Sequence, residues 1–532
     1  MAELLVRDVF RNAAAAVPGR VAAVHDGAEI TFGDLYTRGR AVAAALVARG
    51  VGRGVGRGDR VVVWGGTTLD QLPVFVALAE LGVAFAPVSG LLSLDEAAAL
   101  AAPLRPALLL VDEVRSAAGG ADLAARLGVP VADITGCAGH HPAPPGSLAA
   151  EVEAMADRQG APLPRPAGPA EVEAMAHRDG VPLPQPAESD AHAVFFTSGS
   201  TGRSKGVVLS NRVSWLRSHP GALLEARGTF VCPYPMFHMA VWTQALQQWH
   251  ARRTIVFTTG DAAEICAAVT DHRAERINAI PGVWRRILAH AASPAGAAHD
   301  LSSLRFADTG TSATPPDLLA SLRELLPGAA IRVFYGSTET GAATMLEDAD
   351  LERKPGCAGA VAPFTEIRLA GDGELQVRGP QVFDGYLDDP KATAAAFTAD
   401  GWYRTGDLAE LDDEGFVTIV GRTGDLIRTG GEAVAPGEVE AVLADHAAVA
   451  DVAVVGLPDE AWGQLVCAVV VPVAGAEVPS VDELATHCGS RLARYKRPRR
   501  VVAAAELPRT PSTGQVQRRL LADRIGRGVL MC

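Results

Sequence analysis

A two-domain α/β fold is predicted, with a large α/β N-terminal part and a small α+β C-terminal part. Three observations carry that prediction. Short Val-rich runs such as "RVVVWGG" and "ALLLVDE" alternate with Ala/Leu-rich stretches such as "LYTRGRAVAAALVARG", the pattern of parallel strands joined by crossover helices. At 532 residues the chain exceeds the size at which a single hydrophobic core stops growing. After "GRTGDLIRTGGEAVAPGEVE" the alternation gives way to a compact segment of about 110 residues, enough for a domain.

Taken in order, "MAELLVRDVFRNAAAAVPGR" mixes charged and apolar residues without an uninterrupted apolar core, so it reads as an amphipathic helix and not as a signal peptide. The run "PVFVALAELGVAFAPV" is broken by Glu80, Gly82 and Pro87, short of the ~18 apolar residues of a membrane span. "CAGHH" (Cys137 to His141) has no second ligand pair nearby and reads as a surface loop, not a metal site. From Glu151, "EVEAMADRQGAPLPRPAGPA" is followed by "EVEAMAHRDGVPLPQPAESD", a tandem duplication. Two Pro-rich copies do not make a repeat architecture, which needs about three units; a duplicated surface linker at 151–190, with a short helix in each copy, is expected. The alternation resumes at "AVFFTSGSTG" and runs to about residue 350, after which "GELQVRGPQVFDGYL" and "GFVTIVGR" read as strands with Gly turns. A domain boundary falls at 422/423, where a Gly-rich stretch can absorb large changes in φ and ψ.

Composition narrows the function classes. Hydrophobic residues make up 48% and charged residues 20%, as in a globular protein. A formal net charge of -13 argues against a nucleic-acid partner, which requires a concentrated basic face. Seven scattered cysteines without CxxC pairs indicate a reducing compartment, and a cytoplasmic location is expected. Lysine occurs only at 205, 354, 391 and 496, so a lysine inside a motif draws notice.

That lysine is Lys205 of "AVFFTSGSTGRSKGVVLS". The segment begins as a buried strand and passes through Thr197, Ser198, Gly199, Ser200, Thr201 and Gly202. Hydroxyls and bare backbone N–H groups beside an ammonium suit a polyphosphate, although a flexible Gly/Ser linker has the same composition. It is not a Walker loop, because Gly206 follows the lysine where Ser or Thr is required. Other motifs are equally two-sided alone: "YGSTE" reads also as a β-to-α turn, Asp407 after Gly406 as a turn residue, and His238 in "PMFHMAVW" as a packed core histidine.

Together, however, "TSGSTGRSKGV", "PYPMFHMA", "VFYGSTETG", "WYRTGDLAELDDEGFVTIVGRTGDLIRTGGEAVAPGEVE" and "LPRTPSTGQVQRR" resemble, in the same order, the motifs of the adenylate-forming superfamily of acyl-CoA synthetases, peptide-synthetase adenylation domains and luciferases. The resemblance spans nearly the whole chain. It implies stacked α/β layers with a small β-barrel-like subdomain in residues 1–422, and a mobile C-terminal lid in 423–532. It also implies ATP, magnesium and CoA as the cofactors of a two-step reaction, in which a carboxylate displaces pyrophosphate from ATP and a thiol then displaces AMP.

By that resemblance, Thr197, Ser198, Gly199, Ser200, Thr201, Gly202 and Lys205 would hold the β- and γ-phosphates. Tyr335 and Gly336 would lie at the adenine, Thr338 at the α-phosphate, and Glu339 would hold magnesium, as a hard cation prefers. Asp407 would accept from the ribose hydroxyls, with Arg422 a second sugar contact. His238 would stand between the acyl pocket and the nucleotide, with Met239, Trp242 and Gly310 at the pocket. The hinge would be Gly424 and Asp425, and Gly430 and Gly431 would line the thiol's approach. The apolar neighbours of His238, and the lack of an Asp in "PMFHMAVWTQ" where amino-acid-activating relatives carry one, point to a hydrophobic fatty or aryl acid as substrate. The expected thiol partner is CoA. An acyl-AMP ligase loading a carrier protein, and a non-catalytic binder of nucleotide or acyl-adenylate, stay open; no nucleic-acid partner is expected, and a homodimer is compatible with the sequence.

One position departs from the family. The terminal turn carries Gln515 after Gly514 where relatives have the lysine that reaches the carboxylate and α-phosphate during adenylation. Three readings follow: a natural enzyme with weak adenylation, a deliberate substitution, or a shift that lets Arg509 or Arg518 supply the charge. Loss of one preorganised donor or charge of this kind costs about 3–4 kcal/mol, or ~10²–10³ in rate.

Overall fold

The computed structural model describes residues 3–50, 58–158, 171, 185–198, 204–223, 227–312, 314–429, 432–489, 491–510 and 515–529. Among these residues the strands form four sheets. In the seven-stranded sheet, Arg60–Gly65 lies parallel between Ala84–Ser89 and Leu108–Val111. These strands are buried almost end to end, as continuous Val/Leu runs must be when helices cover both faces of a parallel sheet. Ala191–Ser198 continues the sheet in parallel and then folds back as the antiparallel strand Ser204–Ser210. The segment between them, with Gly199, Ser200, Thr201 and Gly202, lies outside the described residues, as do Gly430 and Gly431.

Helices form where the apolar spacing and caps predict them. Phe32–Ala48 starts at Thr31, whose hydroxyl oxygen accepts the Asp34 N–H at 3.1 Å, a side-chain cap for an otherwise orphaned donor. The N-terminal helix Arg7–Ala16 buries Val9, Phe10, Ala13 and Ala14, and Phe10 packs on Phe75 and Trp249. Gln71–Leu81 is buried on every side and ends at Gly82 in a left-handed cap; it is a core helix, and no described helix is long and apolar enough to cross a membrane.

The nine-stranded sheet positions the site. Its central strands, Ile255–Phe257, Phe230–Cys232, Arg276–Asn278, Phe306–Gly310 and Ala330–Ser337, run parallel in that order. Their carboxyl ends therefore share one edge, where open α/β sheets bind ligands. Inside this sheet Asp308 is buried, with Arg332 donating to both of its oxygens at 2.8 and 2.9 Å and Arg276 donating at 3.3 Å. A small antiparallel sheet of Glu366–Leu369, Glu374–Arg378, Tyr403–Leu411 and Val417–Arg422 packs Leu375, Val377, Ala409 and Val417 into its own core. The last sheet, from Ile427 onward, pairs Val449–Asp459 with Gly463–Pro472 and adds the parallel strand Arg500–Ala503; with helices Pro436–Leu443, Val481–Cys488 and Arg518–Gly526 it forms the C-terminal α+β unit.

One reading left open is decided and one local expectation is corrected. "YGSTE" does not lead into a helix: Ala330–Ser337 turns into the antiparallel strand Gly341–Leu346. The hairpin is so tight there that a Cβ on Gly336 would collide with the Gly341 carbonyl oxygen. "CAGHH" is not wholly a surface loop either. Its histidines are exposed, but Cys137 and Ala138 are buried because the Asp70 carboxylate accepts the Ala138 N–H at 2.7 Å and draws the loop inward. No group of three or more potential metal ligands occurs among the described residues. The first copy of the duplication ends the helix Leu148–Arg158, tied to the body by Arg49 and Glu151 at 2.6 and 2.9 Å. Most of the second copy lies outside the described residues.

The buried triad around Asp308 yields a stability test. Asp308→Ala leaves two buried guanidinium groups without their anion, so the urea midpoint of the N-terminal unit should fall by the equivalent of about 3–5 kcal/mol; a change under about 1 kcal/mol would mean that the triad is solvated.

Candidate functional site

Two groups of polar side chains meet at the carboxyl edge of the nine-stranded sheet. The first joins that sheet to the small antiparallel one. The Tyr335 hydroxyl donates to Asp407 Oδ2 at 2.6 Å, and Arg422 Nε pairs with Asp407 Oδ1 at 2.9 Å. Asp407 and Arg422 face each other as cross-strand partners, so register alone brings the cation to the carboxylate. The preceding turn is pinned: Gly406, at φ 71, donates its N–H to Glu374 at 3.1 Å, and Asp407 donates its N–H to Thr405 Oγ1 at 3.0 Å. Burial, reinforced by the Asp407 charge, pushes the Tyr335 phenol well above its ordinary range, which keeps it a neutral donor.

The second group lies on the hairpin after Tyr335. Glu339 is buried, and Tyr386 donates to its Oε1 at 3.1 Å; its Oε2 has no partner among the described residues. The Lys205 ammonium stands 4.5 Å from the centre of the Tyr386 ring. Lys205, Tyr386 and Glu339 thus form a file from the strand pair carrying Thr197 and Lys205, which are directly opposite each other, to the hairpin carrying Thr338. Behind the hairpin, buried Arg217 donates to three carbonyls: Thr338 at 2.9 Å, Glu339 at 2.7 Å and Gln381 at 2.8 Å.

On the acyl side, His238 precedes helix Met239–His250. Its Nε2 is buried without a hydrogen-bond partner, and burial lowers its pKa to about 4, so it is neutral at physiological pH. Met239 is partly buried beside it. Trp242 behaves differently: it stacks on Phe75 at 4.2 Å, packs edge-on against Phe85, and donates its indole N–H to the Met236 carbonyl at 2.6 Å. It is buried and braces the "PMFHM" loop from within the core. Gly310 closes strand Phe306–Gly310, and a Cβ there would collide with the Phe334 carbonyl oxygen.

The C-terminal unit reaches the same edge. Gln515 is pinned to Thr510, donating its N–H to Thr510 Oγ1 at 3.1 Å and accepting the Thr510 N–H at its carbonyl at 2.8 Å. Its side-chain Nε2 donates to the Thr311 carbonyl at 3.3 Å. Arg509 is bound to Asp451, and Arg518 to Glu440 at 2.7 and 2.8 Å and to Asp425 at 3.4 Å. Both arginines are thus engaged inside the C-terminal unit, which speaks against either one standing in for a lysine at 515. Gly424 and Asp425 form a short turn straight after Arg422; a Cβ at Gly424 would meet nothing within 4 Å.

Sequence reasoning missed Arg217, Tyr386 and Thr311. Arg217 lies in "NRVSWLRSHP" and Tyr386 in "FDGYLDDP", segments without a recognisable motif. Only the three-dimensional arrangement brings them to the site.

The comparisons with known proteins agree with this geometry. Residues 10–387 match the AMP-binding enzyme family, and residues 438–513 match the AMP-binding enzyme C-terminal domain. The chain is 32% identical to an indoleacetate–CoA ligase of Aromatoleum aromaticum, covering 97% of each chain. It is also 32% identical to a feruloyl-CoA synthase of an Amycolatopsis species, covering 94% of this chain and 96% of the relative. Among solved structures, ATP-bound MatB from Rhodopseudomonas palustris superposes with a TM-score of 0.78 at 26% identity, covering 97% and 98% of the two chains. The amide bond synthetase McbA from Marinactinospora thermotolerans superposes at 0.81 and 26% identity, covering 98% and 99%.

The buried histidine makes a pH prediction. The folded value of His238 lies below the ordinary 6.5, so the unfolded chain takes up the proton first, and stability should fall as pH drops from 6.5 towards 4. Urea midpoints across that window should show the loss, and His238→Gln should make it shallower. An identical slope in the variant would mean that His238 is solvated and titrates normally.

Proposed function

The chain belongs to the AMP-binding enzyme family, and from that membership we propose that it activates a hydrophobic fatty or aryl carboxylic acid with ATP and passes the acyl group to CoA. Relatives similar over nearly the whole length are CoA ligases and synthases, which favours an AMP-forming acid–CoA ligase. The observation that carries the reading is the meeting of Tyr335, Asp407 and Arg422 with Glu339, Tyr386 and Lys205 at one sheet edge.

The residues fit the proposed ligands. Asp407 offers a carboxylate to ribose hydroxyls, braced by Arg422, and the Tyr335 ring lies beside it to flank adenine. Thr197, Ser198, Gly199, Ser200, Thr201, Gly202 and Lys205 would hold the terminal phosphates, and Thr338 the α-phosphate. Glu339, with one oxygen open, suits a hard cation, which in nucleotide sites typically takes one or two carboxylates plus phosphate oxygens. Magnesium, when bound there, supplies charge neutralisation of the phosphates. A carboxylate oxygen of the acid then bonds to the α-phosphorus as the bond to pyrophosphate breaks. In the second step the thiolate sulfur bonds to the acyl carbon and AMP departs.

Both steps place charge on oxygens, so placed donors and cations dominate the rate. His238, neutral and buried, separates the acid from the nucleotide without adding a charge. Gln515 brings a donor and no charge to a place where relatives have lysine, so adenylation is the weakened half-reaction and thioester formation is spared. The proposed boundary at 422/423 lies between the last strand of the small antiparallel sheet and the turn with Gly424 and Asp425, the proposed hinge; Gly430 and Gly431 would line the thiol's approach. The free, buried cysteines among the described residues support a cytoplasmic location.

The test is pyrophosphate release with indoleacetate, ferulate and octanoate, with and without CoA, for this chain and for Gln515→Lys. Acid-dependent release that rises by ~10²-fold or more with lysine, with CoA thioester as product, is expected. Release without a CoA thioester would point to a carrier protein or an amine as acceptor, and no release from either protein would leave a nucleotide binder. Asp407→Ala should separately weaken ATP binding by about 10-fold or more, read by calorimetry.

A further inference from the structure

We propose that Tyr386 is a positioning residue that keeps Lys205 and Glu339 from pairing with each other, so that the ammonium stays available to an incoming polyphosphate and the carboxylate to a cation. The inference rests on the proposed function for what the two charges receive; the arrangement of the three side chains stands independently. The Lys205 ammonium lies 4.5 Å from the centre of the Tyr386 ring, and the hydroxyl of the same residue donates to Glu339 Oε1 at 3.1 Å. One side chain thus holds a cation on its face and an anion at its tip. Among the described residues neither Lys205 nor Glu339 has an ion-pair partner, whereas Lys354 and Lys496 are both bonded to carboxylates.

Strand register brings the ring to the lysine. Gly385–Tyr386 pairs antiparallel with Ser204–Ser210, placing Tyr386 opposite Val207; Lys205, two residues before Val207, shares its face of the strand. The ring is then held from several directions. The Tyr386 N–H donates to Thr393 Oγ1 at 2.9 Å, and Phe383 packs edge-on against the ring at 4.9 Å. Burial, reinforced by the Glu339 charge, pushes the phenol above its ordinary range, so the hydroxyl remains a donor to the carboxylate. Glu339 is buried, and a carboxylate there attracts a nearby cation more strongly than one in water. An ammonium on a flexible four-carbon stem would swing onto it if the ring were absent. A nucleotide would then have to break that pair before it could use either charge. Contact with a ring face is weaker than an ion pair and brings no counter-charge, so it restrains the lysine without neutralising it. The hydroxyl meanwhile occupies one oxygen of Glu339 and leaves the other for a cation.

The test uses the full-length protein with two readouts. In the first, nuclear magnetic resonance follows lysine labelled isotopically at Cε; with only four lysines in the chain, Lys205→Arg identifies the Lys205 signal. In the unliganded protein the ring should displace that signal upfield. The displacement should persist in Tyr386→Phe and vanish in Tyr386→Leu, where alone the signal should respond to Glu339→Gln. In the second, calorimetry measures ATP binding without metal. Tyr386→Leu should weaken it by about 5-fold or more, and the same change made in a Glu339→Gln background should have no effect, because the competing carboxylate is gone. A merely structural role would weaken binding in both backgrounds. Tyr386→Phe, which keeps the ring, should spare metal-free binding and instead weaken the binding of manganese(II) to the ATP complex by about 10-fold, read by electron paramagnetic resonance. A Lys205 signal that the ring does not displace, or an equal loss on Tyr386→Leu in both backgrounds, would overturn the proposal. If the unmodified protein binds no ATP, the proposed function fails while the Lys205 signal still decides whether the ring keeps the two charges apart.

Discussion

The candidate site depends on one buried guanidinium. Arg217 leaves helix Asn211–Leu223, passes beneath the hairpin of the nine-stranded sheet, and donates to the carbonyls of Thr338, Glu339 and Gln381. Burial lowers its pKa to about 10, with Glu339 and Asp384 opposing the shift, so it remains charged at neutral pH. A buried cation is tolerated only when its donors are matched, and here three backbone oxygens from two segments, the Thr338–Glu339 turn and the chain at Gln381, do the matching. The helix belongs to the seven-stranded layer, the hairpin to the nine-stranded one, and Gln381 to the connection leaving the small antiparallel sheet. Their common attachment to Arg217 fixes the Glu339 backbone, and with it the place from which its carboxylate extends.

That attachment explains why the site has two halves with different tolerances. Asp407 and Arg422 are set by strand register, and a one-residue slip would send both to the opposite face. Lys205, Tyr386 and Glu339 are set by side-chain packing between layers, where the aromatic ring spaces a cation from a carboxylate that would otherwise pair with it. Direct pairing would neutralise the lysine. Held over the ring, it keeps its charge available to an incoming anion, at the modest cost in attraction typical of a cation–π contact.

Much of this was legible in the sequence, for physical reasons that also mark where legibility ended. Val-rich runs such as Val61–Val63 and Leu108–Val111 announced parallel strands, because burial on both faces removes the need for polar alternation. Tyr335, Asp407 and Arg422 were legible through the resemblance of their motifs to the family's, not through local pattern, since Asp407 after Gly406 reads alone as a turn residue. Arg217 was not: a helical arginine looks the same whether it ends in water or on three carbonyls. Trp242 was expected at the pocket by resemblance; its indole N–H donates to the Met236 carbonyl and its ring stacks on Phe75. Direction, which polarity does not encode, put it in the core. The β-to-α turn that "YGSTE" left open could not be decided from the sequence, because a strand followed by a Gly turn signals either continuation, and only pairing with Gly341–Leu346 decides between them.

The exchange of lysine for glutamine at the terminal turn looks, on charge alone, like pure loss. The surroundings suggest a trade-off instead. On the proposed reading the C-terminal unit must release the first arrangement before the thiol can enter, and a lysine held by a polyanion resists that release. A carboxamide on the Thr311 carbonyl holds less strongly, and because neither partner is charged the contact is insensitive to salt, unlike an ion pair. Arg518, three residues on, is tied to Asp425 at the proposed hinge and to Glu440. Rotation about Asp425 therefore cannot leave the segment bearing Gln515 behind. On the proposed reading the same residue would slow adenylation and ease release, so a slower first step does not by itself imply a slower enzyme wherever reopening limits turnover.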